Sequence, residues 1–133
     1  MSHHIVIAGN LAQDPDAGIT EEGLSWARLT VITNDRYRDR NGDWTNGPAV
    51  RYRVTLFRAL ADNAANSLHV GDPVVLTGQL TTREYRDTNG DVRISRDVIA
   101  DHLGADLVRA TVSISRNSRP VGADDSQPVS VES

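Results

Sequence analysis

The sequence predicts an all-β protein: a five-stranded barrel with one helix between the third and fourth strands. Three observations carry that expectation. Short segments with apolar residues at every second position recur along the chain, which is the period of a half-buried strand. Only one stretch, Ala59 to His69, places apolar residues at helical spacing, with Leu60, Ala64 and Leu68 four apart. Clusters of Gly, Asn, Asp and Pro separate these segments where turns are needed.

Taken in order, His3 to Gly9 reads as the first strand, and Asp14-Pro15 with the Gly18 region reads as a turn. Ser25 to Asn34 alternates, with Ala27, Leu29 and Val31 on one face and Trp26, Arg28, Thr30 and Ile32 on the other, giving the second strand. Asp35 to Pro48 is polar and contains Asn41-Gly42 and Asn46-Gly47, the signature of a long flexible loop or hairpin. Arg51 to Phe57 is the third strand. The helix follows and stops before Val70-Gly71-Asp72-Pro73. Val74 to Leu80 is the fourth strand. A hairpin from Thr82 to Ser95 turns at Asp87 to Asp91, and Val98 to His102 completes the fifth strand. Thr111 to Ser115 alternates again as an extra C-terminal strand. The composition then shifts to Ser, Asp, Pro, Gly and Gln, so the expected organisation is one domain over 1–115 and a short disordered tail over 116–133. Five strands with one helix between the third and fourth is the pattern of the OB barrel, which binds oligonucleotides and oligosaccharides on one sheet face and its loops.

The third strand is where chemistry gathers. Tyr52, Val54 and Leu56 share one face, a core side, while Arg51, Arg53, Thr55 and Phe57 share the other. Guanidinium groups beside an aromatic ring suit a ligand that is anionic and has flat faces to stack on, as single-stranded nucleic acid does. An ordinary solvated strand with one stray aromatic would read the same way in isolation. Net charge is −4, against the basic footprint usual for nucleic-acid binders. The positive charge is local, however. Six arginines between positions 36 and 58 stand against Asp39, Asp43 and, at the edge, Asp35. All 14 basic residues are arginine, which stacks on bases and forks onto phosphates better than lysine does.

Other chemistries find little support. The chain has no cysteine, which removes disulfides and thiolate chemistry. His3 and His4 are neighbours on a strand and point to opposite faces, so they do not converge on a metal. No catalytic Ser-His-Asp order or phosphate-cradling glycine loop is present, so the expectation is a binder that is not an enzyme. No apolar run nears the roughly 18 residues of a membrane span, and no signal-peptide pattern opens the chain, so a soluble cytoplasmic protein with no membrane partner is expected. Trp26 is open between the ligand face and burial against a neighbour. Trp44 is open between a DNA contact and a mobile loop.

Several segments together resemble the bacterial single-stranded DNA-binding protein family: Ile7-Ala8-Gly9-Asn10-Leu11 with Asp14-Pro15, Arg53-Val54-Thr55-Leu56-Phe57, Gly71 to Leu80, and Arg83-Glu84-Tyr85-Arg86-Asp87. The resemblance covers about Ile5 to Leu107. It implies an OB-fold homotetramer around which single-stranded DNA wraps, nucleoid-associated, with no cofactor and no covalent chemistry, serving replication, recombination, repair or chromosome maintenance. The family's stacking positions fall on Tyr37, Phe57 and Tyr85, and a fourth, ordinarily Trp, falls on Arg51. With the neighbouring arginines the expected DNA contacts are Arg36, Tyr37, Arg38, Arg51, Arg53, Phe57, Arg83, Tyr85 and Arg93. Gly104 to Ser115 is similar to an added clamping strand of the actinobacterial branch, which implies reinforced pairing between subunits. Family members usually close in an acidic tip that recruits replication and repair proteins. Here the sequence closes Val129-Ser130-Val131-Glu132-Ser133, so recruitment by that route is in doubt and a secondary paralogue is expected. The Arg51 departure, the acidic balance and the missing tip also suit a second reading, a protein-interaction or subunit module on the same fold with weak or lost strand binding.

Overall fold

A computed structural model describes residues 2–117, apart from the side chains of residues 2, 35, 36, 37 and 46. The elements run β1 (Ser2–Leu11), β2 (Asp16–Ile19), β3 (Ser25–Arg38), β4 (Trp44–Phe57), α1 (Arg58–Ser67), β5 (Pro73–Arg86) and β6 (Val92–Ala105). β1 pairs with β5, β5 with β6, β6 with β4, β4 with β3, and β3 returns to β1 at Asn10 opposite Ile32. That ring of five strands is the expected barrel. Every pairing in it is antiparallel except β4 with β6, which run parallel over Arg53 to Thr55.

The core follows the alternation read from the sequence. Ala27, Leu29 and Val31 of β3, Val54 and Leu56 of β4, and Val74 and Leu76 of β5 are all fully buried, joined by Val98 of β6. Tyr52 is half-buried and packs against this cluster. Two glycines let the barrel close. A Cβ on Gly9 would stand 2.5 Å from the Ile32 carbonyl oxygen at the β1–β3 seam. One on Gly78 would stand 2.3 Å from the Ile99 oxygen, beside the register shift between Thr77 and Gly78. Backbones approach that closely only where no side chain intervenes.

α1 packs across β3 and reaches β2, β4 and β6. It buries Ala61 and Ala64, and Leu68 at its C-cap, with Leu60 half-buried against the same core. The return to β5 is fastened by side chains: Asp14 Oδ1 accepts the Val70 amide at 2.8 Å, and Asp72 Oδ2 accepts the His69 amide at 2.8 Å.

Three local expectations are corrected. The Gly18 region is a short strand, β2, because its backbone completes a ladder with Ser25 to Arg28 and lets the Trp26 ring lie against Gly18. Residues 35–48 take the hairpin form of the two expected, β3 and β4 continuing to Arg38 opposite Trp44 with a register shift between Asn34 and Arg36, so Asn46-Gly47 lies inside β4 rather than at a turn. Thr111 to Ser115 forms no strand, and residues 106–117 carry no helix or ladder. That segment runs beside α1 instead, where the Asn117 amide donates to Asn63 Oδ1 at 3.0 Å. Of the tail expected over 116–133, residues 118–133 lie outside the described residues.

Candidate nucleic-acid interface

Parallel pairing of β4 and β6 ends at Arg53 opposite Asp97. Toward their N-termini the two strands part, and β6 continues with β5 as a long hairpin arm up to Arg86 opposite Val92. The parting opens a cleft of about 690 Å³. Its floor is the outer face of β3 and β4: Thr30, Ala49, Arg51 and Arg53. Its wall is the arm, with Arg83, Glu84 and Tyr85 from β5 and Ile94, Ser95, Arg96 and Asp97 from β6.

Strand alternation explains the lining. Arg51 and Arg53 point away from the core because Tyr52, Val54 and Leu56 point into it. Thr30 lies directly opposite Arg53, and Ile32 opposite Arg51. On the arm, Arg83 pairs with Ser95 and Tyr85 with Arg93, so these four share one face. Tyr85 is 52% exposed, a ring presented to the cleft rather than spent on the core. Four guanidinium groups and two carboxylates line the cleft, which is therefore cationic inside a chain of net charge −4.

Of the expected contact residues, Arg51, Arg53, Arg83 and Tyr85 come together here. Phe57 lies further along the same face of β4, half-buried and paired with Trp26. Trp26 in turn lies against Gly18, with the Arg28 guanidinium 5.6 Å from its ring centroid. Arg38 sits at the far hairpin, its guanidinium 5.2 Å from the centroid of Trp44. Arg93 is engaged by Asp87, Nε to Oδ2 at 2.9 Å. The side chains of Arg36 and Tyr37 lie outside the described residues. Sequence reasoning passed over Asp97, Arg96, Thr30 and Ser95. Their presence follows from cross-strand register, which no local pattern reveals.

The two hairpins end in turns of one design. Asp39-Arg40-Asn41-Gly42-Asp43 and Asp87-Thr88-Asn89-Gly90-Asp91 repeat the pattern Asp-x-Asn-Gly-Asp. In each, the first Asp accepts amide hydrogens from the residues two and four further on, at 2.9 and 3.0 Å. Each glycine takes a left-handed conformation, φ 83° at Gly42 and 84° at Gly90, which suits that residue. The Arg93 guanidinium, followed by the amides of Asp91, Asn89 and Gly90, holds the Asp87 carboxyl below the ordinary carboxylate range. On the other side of the barrel Asp101 is held low as well, chiefly by the hydroxyl of Thr77, then by its own backbone amide and, after that, by His102 and His4. Among the described residues no group of three or more His, Asp or Glu could hold a metal ion, and no helix is long and apolar enough to cross a membrane.

The sequence model of the single-strand binding protein family matches residues 2–106. The chain belongs to the single-strand binding protein family. It is similar to the single-stranded DNA-binding protein of Mycolicibacterium smegmatis, at 35% identity over 116 residues, 86% of this chain and 70% of that protein. It is also similar to single-stranded DNA-binding protein 1 of Tropheryma whipplei, at 36% identity over 117 residues, 87% of this chain and 63% of that one. Among solved structures, the small single-stranded DNA-binding protein from Streptomyces coelicolor superposes with a TM-score of 0.72 at 37% identity, covering 82% of this chain and 98% of that one. Family, barrel and actinobacterial relatives all agree with the resemblance drawn from the sequence.

Proposed function

We propose that this family member binds single-stranded DNA without sequence preference, threading it along the cleft between the β3–β4 face and the β5–β6 arm. The observation that carries the reading is the convergence of Arg51, Arg53, Arg83 and Tyr85 on one open cleft. Cationic forks track a phosphate backbone, and a presented ring stacks on any base. Phe57, beside Trp26, extends the stacking surface along β4, and Arg36, Tyr37, Arg38 and Arg93 supply contacts at the two hairpins. The binding unit is residues 1–115. It does no chemistry on the strand and needs no cofactor. Copies assemble into a homotetramer whose clefts together wrap and protect strands exposed in replication, recombination or repair, at the nucleoid.

The interaction-module reading loses ground because the cleft keeps three guanidinium groups and a ring where a strand would need them. Titration with an oligo-dT strand at low salt tests the proposal. Saturable quenching of intrinsic fluorescence is expected, with affinity falling as salt rises. Replacing Tyr37, Phe57 and Tyr85 together by Ala removes most of it. Absence of saturable binding by the unmodified chain would overturn the proposal in favour of the module.

A further inference from the structure

One carboxylate stands at the vertex of this cationic cleft. Asp97 lies where β4 and β6 part, opposite Arg53 in the parallel ladder and opposite Thr81 on β5. Its Oδ1 is 3.6 Å from Arg53 Nε and its Oδ2 is 3.5 Å from Arg83 Nη2. A single anion thus joins guanidinium groups carried by two different strands. The Ser95 hydroxyl donates to Oδ2 at 3.2 Å and helps to hold it. The Asp97 side chain is 28% exposed, while those of Arg53 and Arg83 are 58% and 74% exposed. Both ion-pair distances exceed the roughly 2.7–2.9 Å of a charge-assisted N–H to O bond, so neither guanidinium is locked. The anion is the fixed partner and the cations are the movable ones.

A phosphodiester offers a guanidinium fork the same thing a carboxylate does, two anionic oxygens on one centre. We infer that Asp97 is a built-in competitor for one backbone phosphate. In the free protein it occupies, between Arg53 and Arg83, the place that an anionic group of the strand takes, and binding turns the two arginines from Asp97 to the phosphate. The inference rests on the cleft being the strand-binding site. It makes Asp97 a residue that limits affinity rather than one that contributes to it. The fixed charge must be outcompeted at low salt and is screened at high salt, where it matters less.

The test compares dissociation constants for an oligo-dT strand, across a salt series, for the unmodified chain, Asp97→Asn and Asp62→Asn. Asp62 is exposed on α1, away from the cleft, and its replacement changes net charge by the same amount. Asp97→Asn tightens binding about three- to thirtyfold at low salt, the scale of one or two released surface ion pairs. The gain shrinks as salt rises, and Asp62→Asn changes binding less than about twofold. Should Asp97→Asn melt below the temperature of the titration, Asp97→Ser is measured in the same way. Weaker or unchanged binding by the Asp97 variant overturns the inference, because Asp97 would then be positioning the arginines or be indifferent. An equal gain from Asp62→Asn also overturns it, since net charge alone would be responsible. If none of the three proteins binds, the cleft itself fails as the strand site, which is a separate outcome.

Discussion

Arg51 occupies the floor of the cleft where the family resemblance places a stacking Trp. A guanidinium at this position stacks and also pairs with phosphate, whereas an indole only stacks. Each cation paired with a single strand steepens the fall of log K with log salt by about 0.7. Arg51→Trp therefore keeps affinity near that of the unmodified chain at low salt while flattening the salt slope by about 0.7, read from titrations at several salt concentrations. Arg51→Ala flattens the slope equally and loses affinity as well. A slope unchanged in both variants would place Arg51 outside the strand's path. A second single-residue feature lies two positions beyond the buried Leu56. Arg58 takes φ 63°, the left-handed region, at the junction where β4 ends and α1 begins. That conformation strains a side-chain-bearing residue by about 1 kcal/mol and is open to glycine. Arg58→Gly, though glycine also loosens the unfolded chain, is expected to leave stability unchanged or raise it by up to about 1 kcal/mol. Denaturant unfolding checks this. A loss larger than about 1 kcal/mol would show that the Arg58 side chain stabilises the junction.

The two hairpin arms show what elements contribute beyond their residues. Both project from the barrel and both are closed by the same Asp-x-Asn-Gly-Asp turn, so the arm that frames the cleft depends on Asp87 for its tip. The folded carboxyl sits below its ordinary value of 3.8, held down first by Arg93. Its contribution to arm order is therefore complete above the ordinary value and is lost as pH falls from there through the lower folded value. Amide exchange at Asn89 and Asp91, corrected for intrinsic rates, is expected to stay slow at neutral and mildly acid pH and to speed up below about pH 4. In Asp87→Ala it is several-fold faster at neutral pH too. Exchange that does not respond to either change would mean the turn is held by backbone bonds alone. The turns at Asn41-Gly42 and Asn89-Gly90 were readable, since Asn-Gly pairs between alternating runs carry their own geometry, whereas Asn46-Gly47 gave the same signal and lies inside β4. β2 was not: of its four residues only Gly18 is half-buried, and four residues with one glycine give no period to read.

At the scale of the molecule, the barrel was legible because its core is. Leu29, Val31, Val54, Leu56, Val74 and Leu76 sit at alternate positions, and burial of those side chains is what the ladder order satisfies. The cleft was half legible. Arg51, Arg53, Arg83 and Tyr85 announce themselves by strand alternation, but Asp97 reaches Arg53 only through a parallel pairing between segments more than forty residues apart. Thr111 to Ser115 marks the opposite failure: it alternates like a strand, yet it pairs with no strand of its own chain and runs beside α1 instead. The surface away from the cleft points the same way. Val6 of β1, Val75 of β5 and Ile99 of β6 are 65%, 37% and 56% exposed on the outer face of three adjoining strands. Thr77, opposite Val6, bonds Asp101 on that face. Apolar side chains on a regular sheet face, beside a polar network, are the material of a contact between copies. A contact on this face would bury Val6 for about 1.5–2 kcal/mol per copy, and a buried unpaired carboxylate in its place would be far more unfavourable. Val6→Asp is expected to shift the solution mass from an assembly toward the 14.5 kDa of a single chain, read by light scattering behind a sizing column. Each separated chain keeps its cleft, so binding to a strand of a few nucleotides persists while binding to a long oligo-dT weakens, because clefts no longer act together on one strand. A variant that stays assembled would move the contact to another face, and a single-chain mass for the unmodified protein would remove the shared-strand reading altogether.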